Sequence, residues 1–433
     1  MKKAQSEKLS MWLTAITLSV VGLLMIFIPD LVYSISLDIF ILGCFINSAI
    51  QFWRASQRHS IQGYLLGLFS FVFGVVLVFY DFIPGWVIRT CFGFYCLAIF
   101  FILAIQIVIN FSNRTRTRVG EFVFALLYLI LGVAALVNGS FSTRDLFRAF
   151  GAYFCVLGLR YALDAVDLTS TTYRWKRSFY ISLPTLIAAF LPDAMLEKLQ
   201  LRNRDDLTYG KEEYTEETPL HVMVHVGPEG FQKIGHFSFS WKGIVYSYGN
   251  YDSTSSRLGG LLGDGVYFNV PASTYLDNIT TVENNSVFEY SIKTTPSQER
   301  MIETQLEKLK NRSYRWYCSL EKDLSMKKPA SLEEDYPSRL HYRTGAKFYK
   351  LKSGKFRTYW AMGDNCALFT DEILGTVGAD VLSARGILSP GAYFDYLQNE
   401  LQKPLSPVVK CVIHPFHAPA STFEAEPSAK NVK

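Results

Sequence analysis

The sequence predicts two unlike parts: an α-helical transmembrane bundle of three hairpins, then an α+β domain with an antiparallel sheet and a cysteine-bearing helix. Up to about residue 196 the 433-residue chain is mostly apolar, whereas its remainder has the charge and turn content of a soluble domain. Residues 220–248 have strand character between turns, with strict alternation of apolar and polar side chains in 235–241. Residues 363–374 begin with turn formers, reach Cys366 and continue with helical apolar spacing.

Six apolar runs are long enough to cross a bilayer, which takes roughly 20 residues each. They lie near residues 11–29, 31–53, 63–82, 85–111, 120–137 and 147–166. Basic residues precede the first run and follow the second, fourth and sixth, so the positive-inside rule places these segments and the N-terminus in the cytoplasm. The basic residues are Lys2, Lys3, Lys8, Arg54, Arg58, Arg114, Arg116, Arg118, Arg174, Lys176 and Arg177.

Glycines recur at matching depths in the three predicted hairpins, where we expect them to let helices pack closely. They are Gly22, Gly43, Gly74, Gly93, Gly132 and Gly151. On hydropathy and glycine placement, residues 11–166 resemble the HdeD-like membrane family, small bacterial proteins of six spans linked to acid resistance. The resemblance implies an integral protein of the bacterial plasma (inner) membrane.

Composition suggests where one part ends and the next begins. We assign residues 1–177 to the transmembrane domain, 220–405 to the compact domain and 406–433 to a tail. Residues 178–219 contain an apolar segment, 178–196, and a polar linker. The apolar segment is either a seventh span, which puts the compact domain outside, or a hairpin or interfacial helix, which leaves it inside.

Charge and cysteine content exclude several classes of function. The net charge of +5 is modest and spread along the chain, so no nucleic-acid partner is expected. Four of the seven cysteines fall in predicted spans, and the other three have neither disulfide nor zinc spacing. His221 and His225 share a strand face but have no third ligand at useful spacing, and Cys411, His414 and His417 lie close together but lack a second ligand cluster. We therefore expect no metal or cofactor.

Cys366 follows Asp364 and Asn365, residues that favour turns and helix caps. A thiol at a helix N-terminus faces unpaired N–H groups and the positive end of the helix dipole, both of which lower its pKa. The sequence therefore predicts Cys366 as a nucleophile, with Asn365 capping the helix or adding a donor. The alternative is that Cys366 is a small buried residue of the core.

His236 begins a predicted strand that has Phe237, Phe239 and Trp241 on one face and small polar residues on the other. A rigid strand with open space beside an imidazole suits general-base catalysis, although most sheet histidines are structural. Which side chain lies beside the imidazole and orients it depends on the length of the turn that follows this strand. A two-residue turn at 242–243 puts Ser247 on the His236 face, and one extra residue puts Tyr248 there. We favour Tyr248.

The order of these pieces, strand histidine before helix cysteine, resembles the circularly permuted papain-like group, which is related to NlpC-type hydrolases. The resemblance covers residues 220–401 and is carried by Gly235-His236, by the arm 245–249 and by Asp364-Asn365-Cys366. The pattern is most similar to the family that includes Gram-positive lipoprotein transacylases of the Lnb type. Its catalytic histidine and cysteine correspond to His236 and Cys366, while Tyr248 stands where related acyltransferases have a second histidine.

The resemblance implies a thiol acyltransferase or hydrolase that acts through a thioester on a lipid or lipoprotein, with its active face outside the cytoplasm. The membrane lipids would then be its partners. One alternative is a peptidase or amidase that acts at the cytoplasmic face with the same two residues. Another is a non-enzymatic stress-response membrane protein whose compact domain binds a partner and whose Cys366 is inert.

Overall fold

A computed structural model describes most of the chain in two compact units. The described residues are 2–58, 60–115, 119–137, 141–167, 190–199, 206–211, 217–228, 233, 235–322, 335–377 and 389–416. One unit comprises residues 1–104 and 119–166, and the other comprises 105–118 and 167–433. Most of the segment predicted as a seventh span or interfacial helix, residues 178–189, lies outside the described residues. Its end belongs to a short helix, α7 (Leu191–Leu199).

The first unit is built from long apolar helices, as predicted. They are α1 (Lys2–Phe27), α2 (Pro29–Arg58), α3 (Ile61–Phe79), α4 (Phe82–Ser112), α5 (Val119–Leu136) and α6 (Thr143–Asp167), the end of α4 belonging to the second unit. Within the described residues, these six helices are long and apolar enough to cross a membrane. The chain is therefore an integral membrane protein.

Glycine packing is confirmed in this bundle, with one exception. A Cβ at Gly22 would lie only 2.6 Å from the carbonyl oxygen of Gly151, so the close approach of α1 and α6 at this point requires glycine. A Cβ at Gly74, Gly93 or Gly132 would likewise lie unusually close to a side chain of a neighbouring helix. The packing prediction was wrong for Gly43, whose Cβ position has no described atom within 4 Å. Gly43 instead lines an open cavity of about 500 Å³ between α2 and α3.

The second unit contains an antiparallel sheet of nine strands among its described residues, in the order β1-β11-β7-β2-β3-β4-β6-β9-β8, and a separate pair, β5 and β10. The strands are β1 (Leu207–Gly210), β2 (Leu220–Val226), β3 (His236–Trp241), β4 (Ile244–Gly249), β5 (Leu262–Asp264), β6 (Val266–Pro271), β7 (Ser286–Ile292), β8 (Ser313–Trp316), β9 (Lys347–Leu351), β10 (Thr358–Trp360) and β11 (Val408–His414).

Helices cover both faces of this sheet. They are α8 (Ala272–Thr281), α9 (Pro296–Asn311), α10 (Ser319–Lys322), α11 (Tyr336–Thr344), α12 (Cys366–Val377) and α13 (Pro390–Gln402). The aromatic face of β3 packs with α12 and α13 in one core cluster. The opposite face, which carries Met223 and Phe268, packs with α8 and α11 in a second cluster. Alternation in β3 therefore sends its aromatic side chains into the first cluster and its small polar side chains to the opposite face.

The sheet extends beyond both ends of the predicted compact domain. Residues 207–210, assigned to the linker, form β1, and residues 408–414, assigned to the tail, form β11. β11 pairs with β7 on one side and β1 on the other. The linker and tail boundaries were therefore wrong, because these two segments join the sheet by pairing with strands far away in the chain, which local composition does not reveal.

Candidate functional site

His236 lies at the start of β3, on the polar face. Phe237, Phe239 and Trp241 point into the core, as predicted from their alternation. Across the sheet His236 is paired with His225 on β2, and their ring centroids are 5.5 Å apart. The strand thus fixes the imidazole at a sheet end, where it is half-buried.

The partner of His236 is Ser247, because the turn after β3 has two residues. Trp241 pairs with Ile244, and both turn residues have positive φ, 47° at Lys242 and 77° at Gly243. Positive φ at both central residues is the geometry of the type I′ hairpin turn. His236 Nε2 and Ser247 Oγ consequently share a hydrogen bond of 2.7 Å.

The choice of Tyr248 as the partner was wrong for the same reason. With a two-residue turn its side chain lies on the opposite face, where its hydroxyl donates to the carbonyl oxygen of Phe356 at 3.1 Å. There it stacks on Phe369 of α12, with ring centroids 4.9 Å apart. Tyr248 is fully buried and belongs to the core.

Tyr251 completes the surroundings of the imidazole and was missed in the sequence. Its hydroxyl lies 2.9 Å from Ser247 Oγ and 3.4 Å from His236 Nε2. Burial raises the pKa of Tyr251, and the charge of an ionised Cys366 would raise it further. Tyr251 therefore stays a neutral hydroxyl near the imidazole and within electrostatic reach of the thiol. It lies beyond the end of β4, where strand alternation no longer predicts direction.

Cys366 is the first residue of α12, as predicted. Asn365 caps this helix: its Oδ1 accepts from the N–H of Leu368 at 3.0 Å, and its Nδ2 donates to the carbonyl oxygen of Ala361 at 2.9 Å. The backbone N–H groups of Phe237 and Ala367 lie close enough to the Cys366 sulfur to favour its thiolate, which acts to lower the thiol pKa. Because Phe237 directly follows His236, the fold brings the sulfur to the start of β3.

The two groups are uncharged near neutral pH. Burial raises the pKa of Cys366 to about 11, although backbone N–H groups act in the opposite direction. The prediction of a lowered thiol pKa was therefore wrong, because desolvation of a side chain only 5% exposed outweighs the helix N-terminus. Burial also lowers the pKa of His236 to about 4. A neutral imidazole is a competent base for a neutral thiol.

The described histidines and the cysteine considered as metal ligands contact other protein side chains or lie in the core, while His417 lies outside the described residues. His221 Nδ1 lies 3.0 Å from Glu289, and His414 lies between Glu289 at 2.9 Å and Asp206 at 2.8 Å. His225 instead bonds to Ser238 at 2.8 Å, and Cys411 is fully buried in the core. Within the described part of the chain, no group of three or more ligand-type residues is arranged to hold a metal ion.

For the acyl transfer that the sequence resemblance implies, we expect Ser247→Ala to slow turnover about fivefold, because one hydrogen bond that orients the imidazole is worth roughly 1 kcal/mol. Tyr248→Phe should leave the rate unchanged and lower only the unfolding free energy. Rates of ester turnover and melting temperatures of the two variants check this. A slower Tyr248→Phe variant with a normal Ser247→Ala variant would restore the rejected assignment.

His236, Ser247 and Tyr251 thus form one hydrogen-bonded group, and the Cys366 thiol lies near the backbone of the residue that follows His236. Comparison of the chain with protein-family models, curated proteins and solved structures gives no match. What the site does must therefore be inferred from its own contacts.

Proposed function

We propose that the second unit is a thiol acyltransferase or hydrolase of circularly permuted papain-like type, held at the membrane by the six spans. The observation that carries the proposal is the position of the Cys366 sulfur. Cys366 begins a capped helix, and its sulfur lies near the backbone N–H of Phe237, the residue that follows His236, whose ring is oriented by Ser247. A helix-borne nucleophile, a base and a group that orients the base are the parts that nucleophilic catalysis needs.

The proposed reaction starts from the neutral pair. Because Ser247 engages Nε2, His236 Nδ1 takes the thiol proton while the sulfur attacks an ester or amide carbonyl. Backbone N–H groups at the start of α12 stabilise the oxyanion. The C–O or C–N bond then breaks, and the imidazolium gives its proton to the departing alcohol or amine. The acyl group remains on Cys366 as a thioester.

A second acceptor completes the cycle. Water, an alcohol or an amine gives a proton to His236 and attacks the thioester, after which the imidazolium returns the proton to the Cys366 sulfur. Asn365 takes no direct part in this scheme, since both ends of its amide are engaged in holding the start of the helix. Water as acceptor makes the protein a hydrolase, and an amine or alcohol makes it a transferase.

Membrane attachment supports a lipid or lipoprotein as the acyl donor. Six spans confine the domain to the neighbourhood of the bilayer, and confinement raises the effective concentration of any substrate in the same membrane. A peptidase or amidase that uses the same two residues would have no such advantage with soluble substrates.

The pH profile follows from the state of the base. Protonated His236 cannot accept the thiol proton, so we expect turnover to fall as the pH decreases through about 4 and to be level through the neutral range. The measurement is kcat/KM of the reconstituted full-length chain from pH 3 upward, within the range where the fold persists. An acid limb near the ordinary histidine value of 6.5 would contradict a base buried in this way.

Trapping the acyl intermediate tests the proposal. The full-length protein in lipid nanodiscs is incubated briefly with a long-chain p-nitrophenyl ester, quenched in acid and digested for mass spectrometry. We expect the acyl mass on the peptide that contains Cys366 and its removal by neutral hydroxylamine. Cys318→Ser is the matched control, since Cys318 is also buried and a serine can keep its contact with Glu321. No acyl mass on Cys366 would overturn the proposal.

One observation favours the non-enzymatic alternative. Cys366 is only 5% exposed and its pKa is about 11, values that also fit an inert core thiol of a binding domain. Trapping separates the two functions, because an inert thiol gives no adduct at Cys366.

A further inference from the structure

The loop between Asp252 and Asp264 presents an apolar tip to its surroundings. Leu258 is 60% exposed, and the neighbouring Arg257, Gly259 and Gly260 are exposed as well. The backbone of Leu258 is left-handed, with φ 52°, a conformation that residues other than Gly, Asn and Asp seldom adopt. Exposure of this leucine to water does not offset the cost of its strained backbone. We therefore expect the tip to contact an apolar environment instead of water.

The tip is held in place from both sides. Arg257 and Leu262 exchange backbone hydrogen bonds of 2.7 and 3.2 Å, and Asn250 Nδ2 donates to the carbonyl oxygen of Gly260 at 3.0 Å. At its base, Lys350 Nζ donates to Asp252 and to Asp264, at 2.6 Å each. Because hydrogen bonds hold the loop on both sides of Leu258, the fold itself determines the exposed position of this leucine.

The same loop adjoins the thiol. The carbonyl oxygen of Leu261 accepts from the N–H of Ala361 at 2.9 Å, and the following strand β5 pairs with β10. Ala361 in turn bonds to Asn365, the cap of the helix that begins with Cys366. The apolar tip and the candidate nucleophile are therefore parts of one connected edge of the domain.

We infer that residues 257–261 insert into the interface of the bilayer that the same chain spans. The tether keeps this domain near that bilayer, so lipid is the apolar phase that the tip can reach. A leucine fits the acyl boundary and the adjacent Arg257 fits anionic headgroups, the pairing found in interfacial segments. Insertion is independent of the thiol chemistry, and it would bring the edge with Cys366 to the depth of lipid esters.

Photo-crosslinking tests the insertion directly. Benzoylphenylalanine replaces Leu258 in the full-length chain, in nanodiscs of phosphatidylcholine and phosphatidylglycerol, and lipid adducts are measured after irradiation. Tyr342 on α11, 69% exposed, carries the same probe in the control. We expect about tenfold more lipid adduct at position 258, the partition expected for one leucine side chain. Equal yields, or crosslinks from position 258 to a second copy of the chain, would overturn the inference.

A second measurement avoids a bulky probe at a strained position. Asparagine tolerates the left-handed backbone, so Leu258→Asn should fold while losing the apolar contact. In nanodiscs we expect trypsin to cleave after Arg257 about tenfold faster in Leu258→Asn than in the wild type. Equal cleavage rates contradict insertion. Both assays give the same result with Cys366→Ala, so their outcome is independent of the proposed catalysis.

Discussion

His236→Ala is expected to slow the formation of the Cys366 thioester about 10³-fold, the usual contribution of a general base. The effect is large because burial holds the thiol pKa at about 11, so almost no thiolate exists at neutral pH without a base. The measurement is the rate at which acyl mass accumulates on Cys366 after mixing with a p-nitrophenyl ester.

His221→Ala is the matched control for this experiment. His221 lies on β2, on the same sheet face as His236, but its imidazole bonds to Glu289 and to the carbonyl oxygen of Thr218. Its loss should leave the acylation rate within about twofold of the wild type, as expected for a side chain outside the reaction. Equal rates in the wild type and His236→Ala would remove the imidazole from the mechanism.

Lys350→Met is expected to lower the unfolding free energy of the second unit by about 3–5 kcal/mol, because it leaves a buried carboxylate unpaired. Lys350 and Asp252 have side chains that are each 9% exposed, and their charged atoms are 2.6 Å apart. Burial alone would raise the pKa of Asp252, but hydrogen bonds from Lys350 and Thr254 outweigh burial and lower it. The expected fall in melting temperature is about 10 °C.

Lys355→Met provides the comparison, since Lys355 pairs with Glu372 at 2.9 Å on side chains that are 35% and 40% exposed. Exposed ion pairs are worth about 0–1 kcal/mol, so this variant should melt close to the wild type. Melting is followed in the full-length protein by the reaction of a fluorogenic maleimide with the buried thiols of Cys318 and Cys411. Similar falls in melting temperature in the two variants would mean that the Lys350–Asp252 pair does not stabilise the fold as a buried ion pair.

Features set by short stretches of sequence were predictable. A membrane span is defined by its own length and hydropathy, so the positions of the six helices follow from the sequence alone. The alternation around Phe237 and Phe239 likewise fixed the core face of β3, and Asp364-Asn365 marked the start of the helix that bears Cys366.

Features that depend on backbone conformation at one residue, or on distant partners, were not predictable. The left-handed backbone of Lys242 makes the turn two residues long and so decides which side chain faces His236. A left-handed backbone is hard to predict at a residue other than Gly, Asn or Asp. The pKa of Cys366 was misjudged because its burial comes from strands and helices far away in the chain. For the same reason the pairing of β11 with β1 and β7 was missed.

A double-mutant cycle tests most directly whether the thiol and the imidazole act as one unit. Ester turnover is measured for the wild type, Cys366→Ala, His236→Ala and the double variant, all reconstituted at full length. If the two residues share one proton, the double variant should be no slower than the slower single variant. If the two losses multiply instead, the residues act independently and the proposed dyad is contradicted.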